Sequence, residues 1–319
     1  MKKTKEEIVT RRDFIRGTAF TTLGLVLGLS PLAFSQQKPP LVKKRTKVVL
    51  IRDEDVLKEN EVDKEILVRM IGEGMCSLFN TTEFASAWKR LFSPEDIVGV
   101  KINVVMTPTH NELIGVIVDN LLAAGVKDEN IYVWDRNEIG QGKAEMFIRR
   151  KKMMYEDNLN KVVKKCTALI NVPGMKTHWL SGVALSIKNW CGAIDNAYTY
   201  HTEDCCARLG ALLKIPEMKS KTRLIIVDAL RPLFHGGPEV DPKYLWNYNG
   251  ILLGIDHVAV DTVGLKIIQN KRNSYLNKPW SLFPPPTHIA LADTKYKVGT
   301  SDLQKIDIVK LGWEKDALI

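Results

Sequence analysis

Short runs of apolar residues recur along the chain after residue 46, and each is followed by a longer stretch with a different periodicity. Several of the runs, among them KVVLI and IVGVKINVV, are apolar at almost every position. Such runs are typical of strands that are buried on both faces. The pattern predicts strands at residues 47–51, 97–105, 131–134, 168–172, 223–227, 251–254 and 306–311.

The stretches between the predicted strands have helical spacing. In residues 111–124 the apolar side chains stand at 113, 114, 117, 118, 121 and 122, and Gly125 follows as a terminator. Further helices are predicted at residues 63–78, 83–91, 141–157, 183–190, 257–269 and 287–293. Alternation of such strands and helices predicts an α/β fold, a mostly parallel sheet with helices on both faces, in a single large domain over residues 47–311.

The N-terminal residues 1–35 have the layout of a twin-arginine signal peptide. TRRDFIRG is followed by an uncharged run and by small residues that predict cleavage after Ser35, and residues 36–46 form a Pro- and Lys-rich linker. We expect the Tat translocase to export the folded chain to the periplasm. Residues 18–34 are short for a spanning helix, which needs about 20 apolar residues, so no stable membrane span is expected after cleavage. Retention as an N-terminal anchor is the alternative.

Charge and cysteine content narrow the classes of function. The formal net charge is +9 and is scattered along the chain, whereas a nucleic-acid binder usually concentrates its charge on one face with interleaved aromatic residues. A nucleic-acid partner is therefore not expected, but an acidic small molecule is compatible. Five cysteines are present, and none are spaced C-x-x-C, so neither an iron–sulfur cluster nor a zinc ribbon is predicted. A disulfide from Cys191 to Cys205 or Cys206 is left open.

Common nucleotide-binding and hydrolase motifs are missing from the sequence. It contains no G-x-G-x-x-G, Walker loop, H-E-x-x-H or G-x-S-x-G. These absences argue against dinucleotide-dependent dehydrogenases, P-loop enzymes, zincins and the common serine hydrolases.

Candidate site residues follow the predicted strands, where ligands bind in doubly wound sheets. The richest segment is PGMKTH, with a further lysine and an asparagine downstream. We expect Lys176 and Lys188 to clamp a carboxylate or phosphate, and His178 to serve as acid/base or metal ligand. The predicted catalytic group is Lys176, His178, Lys188 and Asn189.

Carboxylates at other strand ends could complete the site. Asp135 and Asp228 directly follow predicted strands, Asn103 lies late in the strand predicted at 97–105, and His110 precedes a helix. We expect Asp135, Asp228 and His110 to bind a divalent metal or to carry protons. The alternative is that the two aspartates only cap turns or helices.

The motifs VGVKIN, INVPGMKTH and KNWCG, with VDAL running into GGP and the segment GIDHVAVD, resemble the DUF362 family of uncharacterised proteins. The likeness covers roughly residues 47–311. It implies the fold and the position of the site, and it leaves the reaction open. Some relatives carry a cysteine-rich ferredoxin-type segment, which this sequence lacks.

The sequence therefore predicts an exported DUF362-like enzyme with a Lys/His/Asp site at the strand ends. Its substrate would be a small anion, and a divalent metal could assist the reaction. Two alternatives stay open: a non-catalytic module that binds a small anion or a metal, and an accessory subunit of a redox partner.

Overall fold

The computed structural model describes residues 45–152, 154–202 and 205–319. From residue 45 onward the described chain forms one compact unit. The predicted signal peptide and nearly all of the linker lie outside the described residues. Within the described part, no helix has the length and apolar character needed to cross a membrane.

An 11-stranded mixed sheet runs through this unit. Its strands are β1 (Thr46–Arg52), β4 (Val98–Ile102), β5 (Ile131–Asp135), β6 (Glu138–Gln141), β7 (Arg150–Lys151), β10 (Ala168–Val172), β11 (Gly174–His178), β12 (Gly182–Ala184), β13 (Thr222–Leu233), β14 (Gly250–Gly254) and β15 (Ile306–Gly312). Two small hairpins pair β2 (Leu57–Lys58) with β3 (Glu61–Val62), and β8 (Tyr155–Glu156) with β9 (Leu159–Asn160).

The centre of the sheet is parallel and its flanks are largely antiparallel. The order is β15-β1-β14-β13-β10-β4-β5-β6-β7, in which β13, β10, β4 and β5 are parallel neighbours. Strand β14 is antiparallel to both β1 and β13, and β6 is antiparallel to β5. Because the parallel core places the ends of β4, β5 and β10 at one edge, polar residues that follow these strands come together.

The helices of the described residues cover the sheet. The α-helices are α1 (Lys64–Phe79), α2 (Phe84–Lys89), α3 (Asn111–Ala123), α4 (Gly142–Glu145), α5 (Lys161–Lys165), α6 (Ser186–Asn189), α7 (Pro216–Lys221), α8 (His257–Leu276) and α9 (Thr287–Thr294). Short 3-10 turns occupy Asp128–Asn130, Trp190–Ala193, Ala197–Tyr200, Ala207–Lys214, Pro242–Tyr244 and Leu303–Lys305. Helix α8 begins where the Asp256 carboxylate accepts from two backbone N–H groups, as an N-cap does.

Two hydrophobic clusters lie on opposite faces of the sheet. On β1, Val48 and Leu50 belong to the cluster that contains residues of α8, whereas Val49 and Ile51 belong to the cluster that contains residues of α1. Alternating side chains of a strand point to opposite faces, so β1 is buried from both sides. The predicted α/β fold with helices on both faces is confirmed.

Three segments differ from the structure in the type of element that was predicted for them. The helix predicted at residues 141–157 is wrong, because Gly142, at φ +65°, and the left-handed residues Asp157 and Asn158 divide the segment into short strands and α4. The helix predicted at 183–190 begins as strand β12 and becomes helical only in α6. Residues 174–178, where no strand was predicted, form strand β11, which pairs with β12 and β13.

Candidate functional site

A cavity of about 240 Å³ lies at the edge of the sheet where β4, β5 and β10 end. It gathers six residues that were predicted from different segments: Asn103, Asp135, Lys176, His178, Lys188 and Asn189. Its other lining residues are Lys101, Val105, Met106, Arg136, Pro173, Gly174, Ala184, Leu185, Cys191, Gly192 and His201. His110 and Asp228 do not line this cavity.

A buried ion pair forms the floor of the cavity. Lys101 Nζ lies 2.7 Å from Asp135 Oδ1, and the two side chains are 1% and 6% exposed. Lys101 also donates to the Ile102 carbonyl at 2.7 Å and to Asn189 Oδ1 at 3.2 Å. Since an ammonium has three N–H groups, Lys101 is fully engaged by the protein. Burial lowers the pKa of Lys101, and the charge of Asp135 opposes that shift.

The absence of a side chain at Gly192 leaves room for this ion pair. A Cβ at this position would stand 2.4 Å from Asp135 Oδ1 and 2.8 Å from Lys101 Cε. A larger residue would therefore displace the pair, and glycine allows the backbone to approach it closely.

Lys176 reaches the cavity from β11, and its side chain makes one hydrogen bond to the part of the chain that the structure describes, from Nζ to the Val105 carbonyl at 2.9 Å. Burial lowers the pKa of Lys176 to about 7. The positive charges of Lys101 and Lys188 add to the shift, whereas Asp135 opposes it. A lysine amine in this state exchanges its proton near neutral pH.

Lys188, on α6, contacts His201, which follows the 3-10 turn at Ala197–Tyr200. Its Nζ lies 2.5 Å from His201 Nε2, so the ammonium donates to the imidazole. Burial, followed by the charge of Lys188, lowers the pKa of His201 to about 4. No role was predicted for His201, because its place in a loop gave no sign of this contact.

His178 is a neutral donor rather than a titrating group near pH 7. Burial and the charge of Lys188 lower the pKa of His178 to about 3. The Leu180 N–H donates to His178 Nδ1 at 3.1 Å, which leaves the ring proton on Nε2. The His178 and His201 rings are nearly parallel, with centroids 6.3 Å apart.

Helix α6, which carries Lys188 and Asn189, is held in place by Asp261 of α8. The Asp261 carboxylate accepts from the Ser186 N–H at 2.8 Å, the Ile187 N–H at 2.9 Å and the Ser186 hydroxyl at 2.5 Å. Burial raises the pKa of Asp261 to about 7. Asn189 is fixed in turn by donating from Nδ2 to Asn171 Oδ1 at 2.7 Å.

His110 and Asp228 form a second, separate ion pair. His110 Nδ1 lies 2.7 Å from Asp228 Oδ2, which also accepts from the His110 backbone N–H at 2.8 Å. The negative charge of Asp228 raises the pKa of His110. Among the described residues, no three His, Cys, Asp or Glu side chains are grouped as metal ligands. The three metal ligands predicted from sequence therefore lie in two different ion pairs. Asp135 is bound to Lys101, and His110 is bound to Asp228.

The cysteines are free thiols throughout the described chain, and the disulfide left open from sequence is not formed. Cys191 lines the cavity and is almost fully buried. Cys206 is buried, and its thiol contacts the Leu180 carbonyl at 3.5 Å. Burial raises the pKa of Cys206 to about 11, which keeps this thiol protonated at neutral pH.

Comparison with protein families gives one match. The model for a domain of unknown function, DUF362, matches residues 140–266, which supports membership of that family. The matched region contains Lys176, His178, Lys188 and Asn189, together with Asp228 and Asp261. No curated protein and no solved structure matches the chain.

Proposed function

We propose that this cavity binds a small anion, a carboxylate or a phosphate, and that the protein is an enzyme that moves a proton at that site through Lys176. The observation that carries the proposal is the distribution of hydrogen-bond donors in the cavity. Among the described residues, three lysines and one carboxylate, Asp135, line the cavity, and Asp135 is bound to Lys101. The other two lysines keep N–H groups for a ligand.

Counting donors distinguishes the roles of the lysines. Lys101 uses all three N–H groups on protein acceptors and so positions Asp135 and Asn189. Among the described residues, Lys176 has one acceptor and Lys188 one partner. Two N–H groups on each ammonium, with the Nε2–H of His178, are therefore available for oxygen atoms of an anion.

Lys176 is the proposed proton carrier. Its pKa of about 7 allows both the amine and the ammonium to be populated near neutral pH. The neutral amine takes a proton from the bound anion, and the ammonium returns it. Lys188 and Lys101 hold positive charge beside the reaction and stabilise negative charge that develops on the ligand. Asn189 anchors Lys101 and, through it, the floor of the site.

Thermal unfolding in the presence of phosphate and of acetate tests anion binding. Both anions should raise the midpoint of the wild-type protein, since a ligand that binds the folded state stabilises it. Lys176→Met and Lys188→Met should reduce the increase, and Lys89→Met, at an exposed position on α2, should leave it unchanged. Equal increases in all four proteins would refute the site.

Deuterium exchange separates an enzyme from a binding module. Small carboxylates that bind would be incubated with the protein in D₂O, and deuterium at their carbon atoms would be followed by NMR. Incorporation that is lost in Lys176→Met supports proton transfer. Binding without incorporation from any bound carboxylate favours the non-catalytic module.

We also propose export through the twin-arginine route, supported by Arg11 and Arg12 in the N-terminal sequence. Replacing both with lysine should retain the full-length chain in the cytoplasm. Unchanged appearance of the double variant in the periplasm would refute this route.

A further inference from the structure

We propose that the anion bound here carries an apolar body, as a fatty or aryl acid does, rather than the hydroxyl groups of a sugar acid or sugar phosphate. This inference rests on the proposed anion site and specifies its substrate class. The geometry that supports it is the contrast between the cationic groups of the cavity and its remaining walls.

Apolar side chains form the walls beyond the lysines. They come from the loop after β4, from the residue after β10, and from β12 and the residue after it: Val105, Met106, Pro173, Ala184 and Leu185. Near the Met106 side chain lies half-exposed Trp179, since both approach the position that a Gly237 Cβ would take. Apart from Arg136 and the imidazoles of His178 and His201, a ligand held by its charged end on Lys176 and Lys188 therefore meets hydrocarbon surface with the rest of its body.

The two amide side chains that line the cavity, Asn103 and Asn189, could recognise hydroxyls but are engaged within the protein. Asn103 donates its amide hydrogens to the Val105 and Thr107 carbonyls at 2.7 and 2.6 Å. Asn189 donates to Asn171 Oδ1 and to the Lys101 carbonyl, and its oxygen accepts from Lys101. Apart from the Nε2–H of His178, which the anion itself would use, a polyhydroxylated ligand would lose its water here without equivalent hydrogen bonds from these amides, which costs affinity.

The size of the expected discrimination follows from apolar burial. Each buried methylene is worth about 0.8 kcal/mol, or about a fourfold gain in affinity. Two methylenes against the walls should therefore give more than a tenfold gain over acetate.

Calorimetric titration with acetate, hexanoate and gluconate tests the inference on the purified chain. Hexanoate and gluconate have six carbons and one carboxylate each, and they differ chiefly in hydroxyl groups. We expect hexanoate to bind at least tenfold more tightly than acetate, and gluconate no more tightly than acetate. Gluconate binding as tightly as hexanoate would overturn the substrate class while leaving the anion site intact. Binding of none of the three, nor of phosphate, would overturn both.

A double variant, Val105→Thr with Met106→Gln, tests whether the preference for hexanoate comes from the apolar wall of the cavity. It makes the wall polar and retains the Val105 carbonyl that accepts from Lys176. The ratio of hexanoate to acetate affinity should fall at least fivefold. Val68→Thr, at a partly exposed valine on α1, serves as the matched control and should keep the wild-type ratio. An unchanged ratio in the double variant would overturn the inference.

Discussion

Lys101 and Asp135 lie on the adjacent parallel strands β4 and β5, and their side chains meet 2.7 Å apart with almost no exposure to solvent. Burying two charges is costly because both lose their contact with water, and the attraction between Lys101 and Asp135 offsets part of that cost. The pair is nevertheless completed by hydrogen bonds, since Asp135 Oδ2 accepts from the Val104 N–H at 3.1 Å. The pair therefore forms a fixed floor of the cavity that Lys176 and Lys188 also line.

Removing one partner of this pair should destabilise the fold strongly. Asp135→Asn leaves the Lys101 ammonium buried without an anionic partner, and we expect a loss of about 3–5 kcal/mol in the free energy of unfolding. Urea denaturation measures it. The double variant Lys101→Met with Asp135→Leu should recover much of the loss, because it buries no charge. A cost below about 1 kcal/mol for Asp135→Asn would contradict the buried pair.

Anion affinity should fall as the pH rises through neutrality. Lys176 has a pKa of about 7, so its ammonium is present below this pH and is lost above it. Because the ammonium holds the anion more tightly than the neutral amine does, acetate affinity should drop severalfold between pH 6 and pH 8. Calorimetry at several pH values follows the change. Lys176→Met should bind weakly and lose the step near pH 7, and a step that persists in this variant would assign it to another group.

The His110–Asp228 pair should stabilise the protein most at mildly acidic pH. The raised pKa of His110 gives stability that is present below about pH 6.5 and is lost as the pH rises through the folded pKa. Burial of Asp228 is outweighed by its bonds to His110, so its pKa is lowered, and its contribution disappears as the pH falls through that value. His110→Gln should therefore cost more at pH 5.5 than at pH 8.5. Equal costs at both pH values would contradict a charged pair.

Asp261 should affect ligand binding without touching the ligand. Asn in its place has one acceptor oxygen and cannot hold both the Ser186 and Ile187 N–H groups. We expect Asp261→Asn to weaken acetate binding severalfold and to speed hydrogen exchange at these two amides. Asp307→Asn, on β15, is the control and should change neither. Faster exchange with unaltered affinity would limit Asp261 to a structural role.

Much of the fold could be predicted because the central strands are buried on both faces and so are apolar throughout. Residues 168–172 match β10, and the predicted helix at 111–124 exceeds α3 by one residue. Residues 141–157 could not be predicted in this way, since turn conformations at Gly142 and Asp157 decide their structure. In this segment the positive φ angles of these residues, rather than the helical spacing of its apolar residues, determine the local structure.

The site was predictable where residues follow strands. Asp135, Lys176, Lys188 and Asn189 meet because parallel strands end at one edge. Lys101 was missed, although a lysine inside the apolar run IVGVKINVV was a signal that a buried partner exists. The bond of His201 to Lys188 depends on the path of a 3-10 segment, which carries no periodic pattern.

Crystals of the protein soaked in selenate test the central claim most directly, since selenium scatters anomalously and selenate resembles phosphate and sulfate in shape. We expect an anomalous peak inside the cavity, with selenate oxygens bound to Lys176 Nζ and Lys188 Nζ. In Lys176→Met crystals the peak should weaken or vanish. No peak in the cavity of the wild-type protein at saturating selenate, or a peak that contacts neither lysine, would contradict an anion site.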